Sequence, residues 1–262
     1  MIPYRIVDLL RHGEVQGGPC FRGWQDDPLS PDGWAQLEAA IADVPPRPRA
    51  GTAVPRQVDA FAEGVQQQPV KGVVSAQAAG GADAACLVRP IPQQRPSREA
   101  EISPGSTDEQ LPWDRILCSP AQRCAAFAQF LGQRTGIPVE ARDAFRERGF
   151  GVWEGKRADQ LPGAELARFW TDPAGYDPPD AEPFALFRQR VAEGWRELTE
   201  GEGEHTLLIT HGGVIRVILG EVLGLPDDRL ILIEVPPACR TRVRLPREGG
   251  KPSLIAHGSS GS

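Results

Sequence analysis

Three times along this chain a short apolar run ends on a polar tip and gives way to a helical period. The first run is Tyr4-Arg5-Ile6-Val7-Asp8-Leu9-Leu10, ending at Arg11-His12. The second is Ile116-Leu117-Cys118, followed by Ser119-Pro120 and a helix predicted to reach about Leu131. The third is Thr206 to Thr210, followed by His211 and a helix that buries Val214, Ile215, Val217, Ile218, Val222 and Leu223. Runs of this length read as strands, and the spacing after each tip reads as amphipathic helix. Strands that alternate with helices pair in parallel, which predicts an α/β fold. In an open sheet of that kind ligands sit beyond the carboxyl ends of the strands. His12, Arg123 and His211 are therefore expected to converge, although long stretches of chain separate them.

Between Pro45 and Pro112 the pattern breaks down. This stretch holds ten of the chain's 26 prolines, repeated Ala, Gln and Gly, and one aromatic residue, Phe61. That is too little apolar material for a core of its own. A single domain over 1–262 is expected, interrupted at about 45–112 by a low-complexity or flap insertion with a short helix at Val58 to Val65 and a strand at Val70 to Val74. Further helices are predicted over Leu161 to Trp170 and Phe184 to Leu198. The Pro-rich Asp172 to Pro183 between them suggests a helical cap with a loop near the pocket. Residues 258–262, rich in Gly and Ser, read as a flexible tail.

Charge and cysteine content narrow the function classes. With 35 acidic against 29 basic side chains and a net charge of −6, bulk charge does not draw the chain to nucleic acid or an anionic membrane. Any anion site must be local. The N-terminal run, with Asp8 inside it, fits neither a signal peptide nor a membrane helix, so a soluble, cytoplasmic protein is expected. Five cysteines, Cys20, Cys86, Cys118, Cys124 and Cys239, contain no Cys-x-x-Cys, which points to reduced thiols. Among the four histidines no His-x-His or His-x-x-x-His occurs, which disfavours a metallohydrolase with His12 and His211 as ligands. His205 is expected in a loop and His257 in the tail. No metal and no cofactor are expected.

A phosphate monoester carries nearly two negative charges and repels anionic nucleophiles, whereas a neutral imidazole nitrogen escapes that repulsion. His12 suits the nucleophile's role if its second ring nitrogen donates to a backbone carbonyl, and Gly13 is expected to let the chain turn tightly beside it. Arg123 falls in the first turn of a helix for which Ser119 is the expected N-cap and Pro120 the first residue. A cation there opposes the helix macrodipole by a few tenths to about 1 kcal/mol, and a bound anion removes the conflict. Arg11 places a second guanidinium beside His12, its planar fork suited to phosphate. His211 precedes Gly212-Gly213 at a helix N-terminus, where the ring and the Gly212 N–H are expected to meet phosphoryl oxygens.

An alkoxide is a poor leaving group, so a carboxylic acid must protonate it and then activate water. Glu147 is the candidate, its proton favoured by burial beside Phe150 and Trp153 and by the charge of the phosphate. A salt bridge from Glu147 to Arg146 or Arg148 competes with that reading. Glu154 and Glu14 are the fallback acids.

These segments, taken in order, carry a resemblance. They are Leu10-Arg11-His12-Gly13-Glu14; Phe21-Arg22-Gly23 with Asp27-Pro28-Leu29-Ser30 and Gly33-Trp34-Ala35-Gln36; Cys118 to Cys124; Arg146-Glu147 with Phe150 to Gly155; and Thr210 to Arg216. Together they resemble the signature of the histidine phosphatase superfamily, also called phosphoglycerate-mutase-like, and match best its alpha-ribazole phosphatase and broad-specificity phosphatase branch. The resemblance covers about 4–44 and 113–240. It implies a Rossmann-like three-layer α/β/α fold with a mostly parallel sheet and a helical cap region. It also implies catalytic roles for His12, Glu147 and His211, phosphate binding by Arg11, Arg123 and Gly212, a substrate rim of Gly23, Trp24 and Glu182, and no metal. Where the branch tends to have Gly-Gly-Glu-Ser, this chain has Asp180-Ala181-Glu182-Pro183, which keeps Glu182. Arg216 recurs in the last motif, with a helix-to-sheet salt bridge as its expected role.

The expected activity is that of a histidine acid-type phosphatase: metal-independent hydrolysis of a phosphomonoester through phosphohistidine on His12. Alpha-ribazole 5'-phosphate or a small sugar or nucleotide phosphate would be the substrate. Phosphoglycerate-mutase-type phosphoryl transfer and a non-catalytic phosphate-binding module are the alternatives. The first calls for a longer cap segment after the acid motif, and the second needs neither His12 nor Glu147. The expected partner is a small phosphate ester, with no nucleic acid and no membrane, and self-association as a homodimer is left open.

Overall fold

The computed structural model describes residues 4–42, 44 and 111–258. The insertion expected at 45–112, with its candidate helix and strand, lies outside the described residues except for Leu111 and Pro112, as does the tail from 259. In chain order the regular elements are β1 (Tyr4–Arg11), α1 (Pro31–Ala42), β2 (Arg115–Cys118), α2 (Gln122–Thr135), β3 (Val139–Ala141), α3 (Gly163–Thr171), α4 (Phe184–Glu200), β4 (His205–Thr210), α5 (Gly212–Leu223), β5 (Arg240–Pro246) and β6 (Ser253–Gly258). The strands form one sheet in the order β3-β2-β4-β1-β5-β6. β3, β2, β4 and β1 run parallel, and β5 and β6 add an antiparallel edge. The mostly parallel α/β sheet expected from the sequence is the one that forms.

Alternation along the strands divides the core into two layers. Val7, Leu9, Leu117 and Leu208 face α4 and α5, where they meet Phe187, Val191, Trp195, Val214 and Ile218. Leu10, Ile116, Cys118, Leu207 and Ile209 face α1 and α2, against Leu37, Ile41, Phe127 and Leu131. Each large apolar side chain buried in this way contributes roughly 1.5–3 kcal/mol. Of the two helices expected as a cap, α4 belongs to the main sandwich: Phe187, Val191, Trp195 and Leu198 make an apolar stripe that packs on the sheet. α3 remains as the cap helix. It begins at Gly163 rather than Leu161, because Leu161 precedes Pro162 and is held out of helical conformation. A separate aromatic core of Trp153, Leu161 and Phe169, with Phe21, Phe150 and Tyr176 against it, holds the cap together. Phe21 and Trp153 meet edge to face there with 5.1 Å between ring centroids.

Other local expectations are corrected. His205 is the first residue of β4, and its Nε2 donates to buried Asp8 at 2.9 Å. Asp8 also accepts from Trp113 Nε1 at 2.9 Å and from Arg242 Nε at 2.7 Å. Burial alone would raise this carboxyl's pKa, but the bonds and charges of His205 and Arg242 hold it well below the usual range. His257 and Gly258 belong to β6, not to a tail, because the ladder with β5 runs to Gly258 and His257 bonds Thr241 Oγ1 at 2.7 Å. Leu223 is exposed on the last turn of α5, while Val222 packs as expected. No helix among the described residues is long and apolar enough to cross a membrane.

Candidate active site

The carboxyl ends of β1, β4 and β2 lie side by side, and the backbone beyond each strand ties the tips together. His12 N–H donates to Thr210 O, and Ser119 N–H donates to Ile209 O, both at 2.9 Å. His12 and His211 consequently meet edge to face with ring centroids 5.2 Å apart. Both histidines and Arg123 are buried, as the convergence of the three tips requires.

His12 Nδ1–H donates to the carbonyl of Gly13 at 2.8 Å, so the lone pair is on Nε2. Burial, then the positive charges of Arg11 and Arg123, push the pKa of this imidazole down to about 3. Arg22, bonded to Asp27 at 2.6 Å, adds to that push and was not among the residues singled out from sequence. Its place in Phe21-Arg22-Gly23 was the available signal. Gly13 has a different role from the turn expected. A Cβ there would overlap the carbonyl of Gly33, so glycine lets the tip of β1 press against the start of α1.

Arg123 lies in the first turn of α2, which starts at Gln122 with Ala121 at its N-cap. The helix starts later than expected, and Ser119 Oγ, which accepts from Ala121 N–H at 3.3 Å, lies 2.7 Å from Nε2 of His211. Arg123 donates from Nη1 to Gln25 O at 2.8 Å and from Nη2 to Gly23 O at 2.9 Å. Arg11 donates from Nη1 to Val235 O. Burial draws the Arg11 guanidinium below its ordinary pKa, Glu147 opposing that and Arg216 adding to it. The Nε–H groups of Arg11 and Arg123 are buried and find no acceptor within the fold. Gly212 is buried at the N-terminus of α5, and a Cβ there would lie 3.6 Å from Arg11 Nε. His211 is wholly buried, and that burial, with Arg123, His12 and Arg11 nearby, holds its pKa well below the usual imidazole value.

Glu147 is half-buried and oriented by two backbone donors, Gly213 N–H at 3.0 Å and its neighbour Arg148 N–H at 3.0 Å. The competing salt bridges do not form: Arg148 pairs with Asp177, and Arg146 lies 3.8 Å from Asp143. Arg216 makes no helix-to-sheet salt bridge either. It donates to Ile233 O at 2.8 Å and shares with Glu147, Phe150 and Phe187 the wall of a cavity of about 120 Å³. Trp153, expected against Glu147, is in the aromatic core of the cap. Of the fallback acids, Glu14 is exposed and bonded to Gln36. Glu154 accepts from the N–H groups of Gly23, Trp24, Gln25 and Phe150 at 2.8–3.1 Å, which fixes the loop whose carbonyls hold Arg123.

Of the rim residues, Gly23 is buried, and a Cβ there would overlap the carbonyl of Arg148. Trp24 is exposed, with the Arg146 guanidinium 5.9 Å from its ring centroid. The Glu182 carboxylate pairs with Arg190 at 2.7 Å, and Arg190 also donates to the carbonyls of Ala144, Arg146 and Glu147. Glu182 thus ties the 172–183 loop to the segment that carries Glu147. Among the described residues no group of three or more His, Cys, Asp and Glu side chains is placed to hold a metal ion.

The profile of the histidine phosphatase superfamily (branch 1) matches residues 105–257. The chain belongs to this superfamily. The matched span contains Arg123, Glu147 and His211, while Arg11 and His12 precede it and reach the same site through the pairing of β1 with β4. The adenosylcobalamin/alpha-ribazole phosphatase of Salmonella typhimurium is 27% identical over 132 residues, 49% of this chain and 65% of that relative. A glucosyl-3-phosphoglycerate phosphatase of Mycolicibacterium vanbaalenii is 30% identical over 125 residues, 43% of this chain and 55% of that relative. The chain thus spans less than two thirds of the length of each. Among solved structures, the alpha-ribazole phosphatase of Shigella flexneri superposes with a TM-score of 0.63 at 18% identity, covering 97% of this chain and 96% of that one. This likeness establishes the three-layer histidine phosphatase fold.

Proposed function

We propose that this histidine phosphatase hydrolyses small phosphomonoesters through a phosphohistidine on His12. The observation that carries the reading is a buried, neutral imidazole with its lone pair on Nε2, flanked by two guanidinium groups whose buried Nε–H donors have no acceptor. Buried donors are nearly always paired, and an oxyanion held between Arg11 and Arg123 supplies the acceptors. His211 and the N-terminus of α5, with the Gly212 N–H, complete a positive, water-poor cradle.

In the first half-reaction Nε2 of His12 bonds to phosphorus as the bond to the ester oxygen breaks. That oxygen leaves with the electron pair and takes a proton from Glu147, which the Gly213 and Arg148 N–H groups aim. In the second, Glu147 as carboxylate takes a proton from water, whose oxygen attacks phosphorus. The P–N bond breaks, its electron pair returns to Nε2, and inorganic phosphate leaves. The substrate rim proposed for this reaction is Trp24 and the Gly23 backbone, with Glu182 acting through Arg190. Alpha-ribazole 5'-phosphate and phosphorylated sugars are the first candidates, since the relatives' names carry those substrates. Action in the cytoplasm fits the unpaired thiols of Cys20, Cys118, Cys124 and Cys239.

Incubation with a ³²P-labelled monoester followed by an alkaline denaturing quench should leave label on the protein that survives base and is lost in acid. His12→Ala should carry none. Label retained by that variant, or mapped to another residue, would overturn the assignment.

A further inference from the structure

His12 and His211 sit in one cradle, and the hydrogen bonds around them constrain the two rings differently. In His12 the Nδ1 proton is committed to Gly13 O and the Nε2 lone pair is left for chemistry. In His211 it is Nε2 that is committed, 2.7 Å from Ser119 Oγ. A neutral imidazole has one donor and one acceptor nitrogen, so the direction of the Ser119 bond decides what the other nitrogen can do.

We infer that Ser119 is a positioning residue that donates its hydroxyl proton to Nε2 of His211 and so fixes that ring as the Nδ1–H tautomer, a donor to the phosphoryl group. Three observations support this direction. Ser119 is fully buried, so its hydroxyl proton has no access to solvent. Its Oγ already accepts from Ala121 N–H at 3.3 Å, which turns the proton towards the ring. The sulfur of Cys124 also lies within reach of the hydroxyl, but it is a weak acceptor. If Nε2–H donated to Ser119 instead, the serine proton would be turned towards that weak acceptor. Cys124 does not settle the tautomer: its thiol donates to Thr210 O at 3.5 Å, and its sulfur lies 3.9 Å from Nδ1 and 3.7 Å from Nε2. The two histidines are then the same tautomer put to opposite uses, a free lone pair on His12 and a free proton on His211.

The donor role rests on the phosphatase reading above, whereas the tautomer is a property of the resting enzyme, and the test separates them. In ¹⁵N-histidine-labelled full-length protein at neutral pH, His211 should show a protonated Nδ1 and an unprotonated Nε2 by their nitrogen shifts. Ser119→Ala should shift the population to Nε2–H or to a mixture, and weaken binding of inorganic phosphate by about tenfold. Ser119→Thr, which keeps the hydroxyl, should restore both signals. An Nε2–H tautomer in the wild type, or a tautomer unchanged in Ser119→Ala, overturns the inference. If the alanine variant does not fold, the wild-type tautomer alone decides it. Failure to form phosphohistidine with the wild-type tautomer as stated would sink the phosphatase reading and leave the Ser119 assignment standing.

Discussion

At the scale of single residues, burial and neighbouring guanidinium groups keep the imidazoles of His12 and His211 neutral. The folded His12 ring titrates at about 3 against an ordinary 6.5, so between those values the unfolded chain binds more protons than the folded one. The stabilisation from keeping this ring neutral is therefore complete above about pH 6.5 and is lost as pH falls towards about 3. Denaturant titrations from pH 7 to 4 should show the wild type losing stability more steeply than His12→Asn; equal slopes would contradict the neutral, buried ring. Arg123→Gln removes one of the charges that depress His12, and its imidazole titration should move upward when followed by NMR. The two glutamates of the acid segment should separate in kind. Glu147→Gln is expected to lower kcat by about 10²–10⁴-fold with little change in Tm. Glu154→Gln weakens the hold on a row of backbone donors and should cost about 1–3 kcal/mol of stability, read by denaturant unfolding. If Glu154→Gln left Tm untouched and abolished kcat, the two roles would have to be exchanged. The meeting of His12, Arg123 and His211 was legible because each follows an apolar run that ends at the same edge of the sheet. Ser119 and Arg22 were not, since a serine before proline reads as a helix cap and an arginine in a polar loop reads as surface until its partners are known.

At the scale of elements, the strand tips are held by the neighbours that press on them. β1 reaches α1 only because Gly13 and Gly33 both lack side chains, so Gly13→Ala must push the two apart at a cost of about 1–3 kcal/mol. A Tm equal to wild type would show that this contact is looser than described. α4 serves two purposes. Its apolar stripe packs on the sheet, and Arg190 on its polar side grips the carbonyls of Ala144, Arg146 and Glu147 while Glu182 pins the guanidinium. Arg190→Met should let the acid drift and lower kcat by about tenfold to 10²-fold with KM little changed, because a displacement of about 1 Å at a reacting group is worth that much. Steady-state kinetics with any accepted monoester checks it, and an unchanged kcat would release Arg190 from this role. The helices over 163–171 and 184–200 were foreseen as a pair forming the cap. Periodicity locates an apolar stripe but does not say what covers it, which is why α4's place in the sandwich could not be read.

Across the whole molecule, the sheet carries a buried ionic network beneath the site. Asp8 joins β1 to β4 through His205 and to β5 through Arg242, with Trp113 as a further donor. Asp8→Asn leaves Arg242 without its anion and should destabilise the fold by about 3–5 kcal/mol, measured by denaturant unfolding. Because the folded carboxyl is held below its ordinary range, its contribution is present above that range and is lost on acidification, adding to the loss from His12. By itself the sequence determined the strands β1, β2 and β4, their parallel pairing, and the meeting of residues 11, 12, 123 and 211 at one edge. Short apolar runs ending in polar tips bring those tips to the carboxyl edge of a parallel α/β sheet, whatever the length of chain between them. Only the tertiary structure decided which nitrogens of His12 and His211 have hydrogen-bond partners, which arginine donors lack partners, that Glu154 accepts from four backbone N–H groups while Glu147 accepts from Gly213 and Arg148, and that β6 continues to Gly258. Those are matters of a few tenths of an ångström and of hydrogen-bond partners distant in sequence. Neither is encoded in the local pattern of apolar and polar residues.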